Sequence, residues 1–126
     1  MNIGIIGCRS RNTEKDYQLV EKAFINLYEQ IIFSNDANWV DNIVSGGCPK
    51  GGDRFAEIIS TKYGIPIVIH EARWGLYGMY AGFKRNTLIA RDSDILIACI
   101  SPDRKGGTED TIRKYLGLGK NKLILV

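Results

Sequence analysis

The chain has 126 residues, 44% hydrophobic and 25% charged, with a formal net charge of +3; this suits one globular domain, leaves no room for a second, and is too mild a charge to imply nucleic acid by itself. Three cysteines, Cys8, Cys48 and Cys99, show no CxxC spacing, which speaks against a disulfide framework and against zinc, and favours a reducing compartment. No stretch approaches the ~20 apolar residues of a membrane span, and the opening MNIGIIGCRSRN has too short an apolar run for a signal peptide, so the expectation is a cytoplasmic protein with no membrane contact and no metal.

Short runs rich in Ile, Val and Leu alternate with segments of helical period. Asn2 to Gly7 reads as a buried strand. Thr13 caps the next helix, with Asp16 three residues on as a variant of the capping box. Tyr17, Val20, Phe24, Leu27, Tyr28 and Ile31 then recur at three- and four-residue steps, one apolar helical face. A polar turn is expected at 34–38 and a second strand from Trp39 to Ser45. After the loop GGCPKGG, a helix from about Asp53 to Tyr63 stops at Gly64, with Pro66 preventing its continuation. Ile65 to His70 is a third strand. Ala72 to Gly82 is irregular and aromatic, and a helix runs on to about Arg91. Asp94 to Ile100 is the fourth and most apolar strand. A final helix from near Thr108 ends around Gly117 to Gly119, and Lys122 to Val126 closes as a fifth strand.

Strands that are apolar throughout, rather than alternating, specify a parallel sheet covered on both faces, with right-handed connections. The predicted fold is α/β: a single doubly wound Rossmann-like domain over 1–126, with a five-stranded, mainly parallel sheet and helices on both faces.

Such sheets bind ligands at the carboxyl ends of their strands, so the loops there are the candidate site. The loop Gly7-Cys8-Arg9-Ser10-Arg11 lacks the GxGxxG fingerprint, because Gly4 lies inside the strand, and NAD is disfavoured. Asp53 stands where a P-loop needs Lys then Ser or Thr, which disfavours an ATPase of that type. No cofactor is predicted. Ser45-Gly46-Gly47 and Gly51-Gly52 let the backbone turn tightly and expose N–H groups near a helix start, and Gly106-Gly107-Thr108 repeats the arrangement; such groups favour an anion. Charge placement agrees. Nine of the seventeen Lys and Arg fall in the windows 8–13, 46–54, 72–85 and 101–107, namely Arg9, Arg11, Lys50, Arg54, Arg73, Lys84, Arg85, Arg104 and Lys105, against Asp53 and Asp103 alone.

Individual residues leave alternatives open. Arg85 opens a helix near the strand ends and grips phosphate in bidentate fashion, or pairs with Asp53. Asp53 orients Arg54 or Arg85, or caps its helix. Asn86 holds a ribose hydroxyl or caps. Glu109 and Asp110 either stabilise the dipole of the last helix or accept hydrogen bonds from ribose. Trp74, Tyr77, Tyr80 and Phe83 stack on a base, form a dimer contact or build a satellite core. His70 has no second histidine and reads as structural. Cys8 and Cys48 receive no role.

The runs VSGGCPKGGDRFAE, RW, GMYAGFKRN and DSDILIACISPDRKGGTEDTI together resemble the SLOG superfamily of Rossmann-like nucleotide-binding domains, and within it the small YspA-like proteins. The resemblance spans nearly the whole chain. It implies a nucleotide, or a molecule derived from one, as ligand at the edge already inferred; the candidate ligand-binding residues there are Gly7, Arg9, Ser10, Ser45, Gly46, Gly47, Gly52, Asp53, Arg54, Trp74, Arg85, Asn86, Gly106, Gly107 and Thr108. Superfamily relatives are commonly dimers, so a homodimer is expected. The LOG phosphoribohydrolases of the same superfamily have an arginine-containing helix, an Asp and a GGxGTxxE loop similar to Arg85, Asp94 and Gly107-Thr108. Here Asp103-Arg104-Lys105 replace the first glycines, and Thr111 stands at the place of the catalytic Glu. The expected function is therefore a binding module, a sensor or sequestering protein for a nucleotide-like ligand. The alternative is a hydrolase of the N-glycosidic bond of a nucleoside 5′-monophosphate, with Arg85 on phosphate and Glu109 or Asp110 on ribose. A weaker alternative is single-stranded nucleic-acid binding.

Overall fold

The structure, a computed structural model, describes residues 1–34 and 39–126; most of the polar turn expected at 34–38 therefore lies outside the described residues. Five strands form one sheet: β1 (Asn2–Gly7), β2 (Asn42–Ser45), β3 (Ile67–Ile69), β4 (Ile95–Cys99) and β5 (Leu123–Leu125). Their order is β3-β2-β1-β4-β5 and every pairing is parallel. The helices are α1 (Glu14–Phe33), α2 (Gly52–Tyr63), the single turn α3 (Trp74–Tyr77), α4 (Ala81–Asp92) and α5 (Gly107–Gly117), with a 3-10 turn at Gly78–Tyr80 between α3 and α4. This is the predicted α/β, Rossmann-like architecture, with a sheet that is parallel throughout.

Alternate strand residues serve two cores. Ile3, Ile5, Ile43, Ile95 and Ile97 are buried against Val20, Phe24 and Ile31 of α1 and Phe55, Ala56 and Ile59 of α2. Ile6, Val44, Leu96 and Ala98 are buried on the other face, against Ile89 and Ala90 of α4 and Ile112 and Tyr115 of α5. Each fully buried side chain of this size stabilises the fold by roughly 1.5–3 kcal/mol, which explains why the strands carry almost no polar residue.

Local chemistry sets the ends of the elements. Thr13 and Asp16 make a reciprocal capping box at the start of α1. Gly64 closes α2 at φ +66°, its N–H bonded to the Ser60 carbonyl. Four strands are shorter than expected: β4 and β5 lose one residue at either end, and β2 and β3 lose more at their starts. Trp39 is 68% exposed and its carbonyl takes the Met1 ammonium group, so β2 begins at Asn42. Pro66 has no N–H for the ladder and contributes only its carbonyl, to the Ile43 N–H, so β3 begins at Ile67. No helix among the described residues is long and apolar enough to cross a membrane.

The chain steps outward from β1 through β2 to β3, then returns to lay β4 beside β1. The loops leaving β1 and β4 thus diverge, and a crevice opens between them. On its other side β1 loses β2 early: that pairing ends at Gly4↔Val44, whereas pairing with β4 continues to Gly7↔Cys99. The start of α2 fills the space. A Cβ on Gly52 would stand 2.1 Å from the Ile6 carbonyl carbon and 2.2 Å from the Gly7 nitrogen.

Gly52→Ala tests this contact. Alanine is the better helix former by about 1 kcal/mol, but rotamer changes cannot relieve a clash with backbone, and overpacking of this kind costs up to about 3 kcal/mol or more. The variant is expected to unfold at markedly lower urea concentration or to fail to fold. A midpoint at or above that of the unsubstituted protein would contradict the packing.

Candidate functional site

A cavity of about 680 Å³ occupies the crevice. Ile6 and Gly7 of β1 form its floor, with Cys8 and Arg9 following in the same loop. Gly82, Arg85, Asn86 and Ile89 supply one wall from α4, and Gly107, Thr108, Asp110 and Thr111 another from α5. Both sets recur at three- and four-residue steps, so each is one helical face. Trp74, Met79 and Phe83 stand at the rim, 58%, 87% and 54% exposed.

Arg85 is held by the protein on two sides. Its Nε donates to Asn86 Oδ1 at 3.0 Å and its Nη1 to the Gly46 carbonyl at 3.1 Å. No described residue accepts from Nη2, and no carboxylate lies within ion-pair reach of the guanidinium. Gly82 keeps that side open: a Cβ there would lie 3.5 Å from the Trp74 ring and 4.0 Å from Nη2. Asn86, itself buried, donates to the Gly107 carbonyl at 3.3 Å and to Asp110 Oδ2 at 3.0 Å. One amide thereby joins the arginine of α4 to the first turn of α5.

The carboxylates near the cavity are already engaged. Asp110 Oδ2 also takes Lys114 Nζ at 2.9 Å. Glu109 does not line the cavity; its Oε1 pairs with Arg104 Nε at 2.8 Å, and its Oε2 is buried without a hydrogen-bond partner among the described residues. Asp53 lines the cavity from the start of α2, and its Oδ2 accepts from the Cys48 N–H at 3.1 Å. Burial pushes the Asp53 carboxyl above the ordinary carboxylate range, against the downward pull of the Cys48 N–H, the Arg85 charge and the Gly46 N–H.

Of the residues anticipated from the sequence, the cavity brings together Gly7, Arg9, Asp53, Trp74, Arg85, Asn86, Gly106, Gly107, Thr108 and Asp110. The others stand outside it. Ser10 bonds the Cys8 sulfur at 3.3 Å. Ser45 is buried and ties the β2 loop together through the Asp53 carbonyl and the Gly47 N–H. Gly46 presents its carbonyl to Arg85, and Gly47, at φ +77°, packs against Ile69 and Glu71. Gly52 meets β1, and Arg54 is exposed on α2. Arg11 of the basic windows turns away altogether: it pairs with Asp16 and donates to the carbonyls of Ile100 and Val126.

Ile89, Thr111 and Arg113 line the cavity and were not anticipated, and Cys8 and Cys48, assigned no role, line it too. The helical step from Asn86 to Ile89 and from Gly107 to Thr111 is the sequence signal that points to the first two. Among the described residues no group of three or more His, Cys, Asp or Glu is placed to hold a metal ion. Cys99 is buried, which pushes its thiol up to about 11.

The upward shift at Asp53 has a sign. The folded state binds the Asp53 proton more tightly than the unfolded chain, so its contribution to stability is fully present below the unfolded value near 3.8 and is lost as pH rises through the higher folded value. Asp53→Asn removes this dependence. The stability of the variant relative to the unsubstituted protein, from urea unfolding, is expected to be greater at pH 7.5 than at pH 4.0; the reverse order would refute the assignment. Comparison with family models, curated proteins and solved structures finds no match to this chain.

Proposed function

We propose that the chain is a binding module for a nucleotide or a nucleotide-derived small molecule, seated in the crevice between the ends of β1 and β4. The observation that carries this reading is the composition of one cavity: a guanidinium held open on one side, the N-terminal turn of α5, and an exposed aromatic rim. Arg85, Arg9, Lys105 and the Gly106-Gly107 backbone suit a phosphoryl group. Asp110 and Thr108 suit ribose hydroxyls, and Trp74 and Phe83 suit the flat face of a base. The sequence resemblance to SLOG domains supports the same ligand class.

Binding is favoured over turnover. A carboxylate that stabilises an oxocarbenium-like centre works through unneutralised negative charge beside the sugar. Asp110 is matched by Lys114 and Asn86, and Glu109 by Arg104. Binding of a long single strand is disfavoured as well, because Arg9, Arg85, Lys105, Trp74 and Phe83 line one compact cavity rather than a long groove.

Native mass spectrometry of freshly purified protein, followed by thermal shifts with nucleoside mono-, di- and triphosphates, tests the reading. A bound nucleotide-like species or a saturable shift is expected, together with weakening of about 10- to 100-fold in Arg85→Ala, the effect of losing a charge-assisted contact. The absence of both a bound species and any shift would overturn it. Trp74→Ala is expected to weaken nucleotides while leaving inorganic phosphate unaffected, and an equal effect on both would remove the stacking role.

A further inference from the structure

A second cavity, of about 550 Å³, lies on the neighbouring face of α4. Ala81, Lys84, Arg85 and Leu88 line it from the helix at three- and four-residue steps. The chain between β3 and α3 closes it with His70, Glu71 and Arg73. Arg85 therefore stands in the walls of both cavities.

The charges in this second cavity are poorly matched by the protein. Arg73 is exposed and forms no ion pair or side-chain hydrogen bond with any described residue. Lys84 Nζ rests 4.5 Å from the centre of the Tyr77 ring, with no carboxylate within 4.0 Å. Glu71 is the one acid among the lining residues, and its side chain lies along Gly47, where a Cβ would meet its Cγ at 3.3 Å. His70 is engaged by Asp92 at 2.7 Å. Three permanent cations against one carboxylate in a concave site repel one another and raise the local concentration of anions.

We propose that this cavity is a second phosphoryl-binding subsite, formed by Arg73 and Lys84 beside Arg85. Its occupant is either the far end of an extended nucleotide, such as a dinucleoside polyphosphate that reaches past Arg85, or a separate inorganic anion. The inference depends on the nucleotide reading of the first cavity only in the first of these cases.

Calorimetric titration of the full chain with AMP, inorganic pyrophosphate and diadenosine tetraphosphate tests it, together with the side-chain N–H resonances of Arg73 and Arg85 in nitrogen-labelled protein. Pyrophosphate is expected to shift the Arg73 resonance saturably. The tetraphosphate is expected to bind about tenfold tighter than AMP or better, as one added charge-assisted contact provides. The double variant Arg73→Ala/Lys84→Gln changes two exposed side chains, so its fold is retained; it is expected to lose the tetraphosphate gain and keep the AMP affinity. A shift of Arg73 by pyrophosphate without any tetraphosphate gain identifies the occupant as a free anion. An unmoved Arg73 resonance with a double variant indistinguishable from the parent overturns the subsite, while AMP binding leaves the first cavity's reading intact. Failure of both nucleotides to bind, with Arg73 still responding to pyrophosphate, supports the subsite and overturns the nucleotide reading instead.

Discussion

No side chain separates the first turn of α2 from the end of β1, and the carboxyl edge is arranged around that contact. Gly51, at φ +74°, turns where a Cβ would stand 2.3 Å from the Cys8 carbonyl oxygen, and Gly52 meets the Ile6–Gly7 peptide. With the helix start fixed there, Asp53 falls beneath the β2 loop and accepts the Cys48 N–H. The loop so held presents the Gly46 carbonyl to Arg85. A backbone approach on one face of the sheet thereby sets the position of a guanidinium carried by a helix on the other. The cost appears at Asp53, whose buried carboxyl is driven upward although two backbone N–H groups and a nearby guanidinium favour its charged form.

The positive character of this edge comes from pairing more than from number. A net charge of +3 is modest for 126 residues. Within the edge, Asp110 is matched by Lys114 and Glu109 by Arg104, while Arg9, Arg85, Lys105 and Arg113 in the first cavity have no carboxylate within 4.0 Å among the described residues. Low-dielectric walls around unmatched charge focus the field into the cavity and reduce its screening by salt. Asn86 contributes by joining Asp110 to Arg85 through an amide, donating to the same Asp110 oxygen that pairs with Lys114.

The fold was legible in the sequence because strand burial is periodic and local. Ile3 to Ile6 and Ile95 to Cys99 are apolar on both faces, and both faces are covered. The capping box of Thr13 and the left-handed Gly64 were equally readable, since each is decided within a few residues. Which residues line the cavity was less so. A basic window shows that a cation is near the edge, but not which way it points: Arg9 enters the cavity, while Arg11, two residues on, is drawn to the carbonyls that end β4 and β5. Ser45, Gly46 and Gly52 suggest ligand contacts because glycine-rich loops often supply them; they do not line this cavity, and Ser45 and Gly46 bond Asp53 and Arg85 while Gly52 meets β1. Arg113 follows Asp110 by one helical step on α5, so it becomes legible only once Asp110 is known to face the cavity.

Arginine at position 85 follows from these demands. Two protein acceptors fix the side chain, one on Nε and one on Nη1, yet a guanidinium has five N–H donors and keeps three after both bonds are made. A lysine ammonium bound to the same two carbonyl oxygens would have one donor left and no second edge to present. The planar fork can be anchored on one side and remain available on another, so little rotamer freedom is left to lose in accepting a further partner. Gly82 completes the arrangement by leaving Nη2 uncovered next to the Trp74 ring. The anchored edge and the open edge of one side chain together account for an arginine placed where two cavities share a wall.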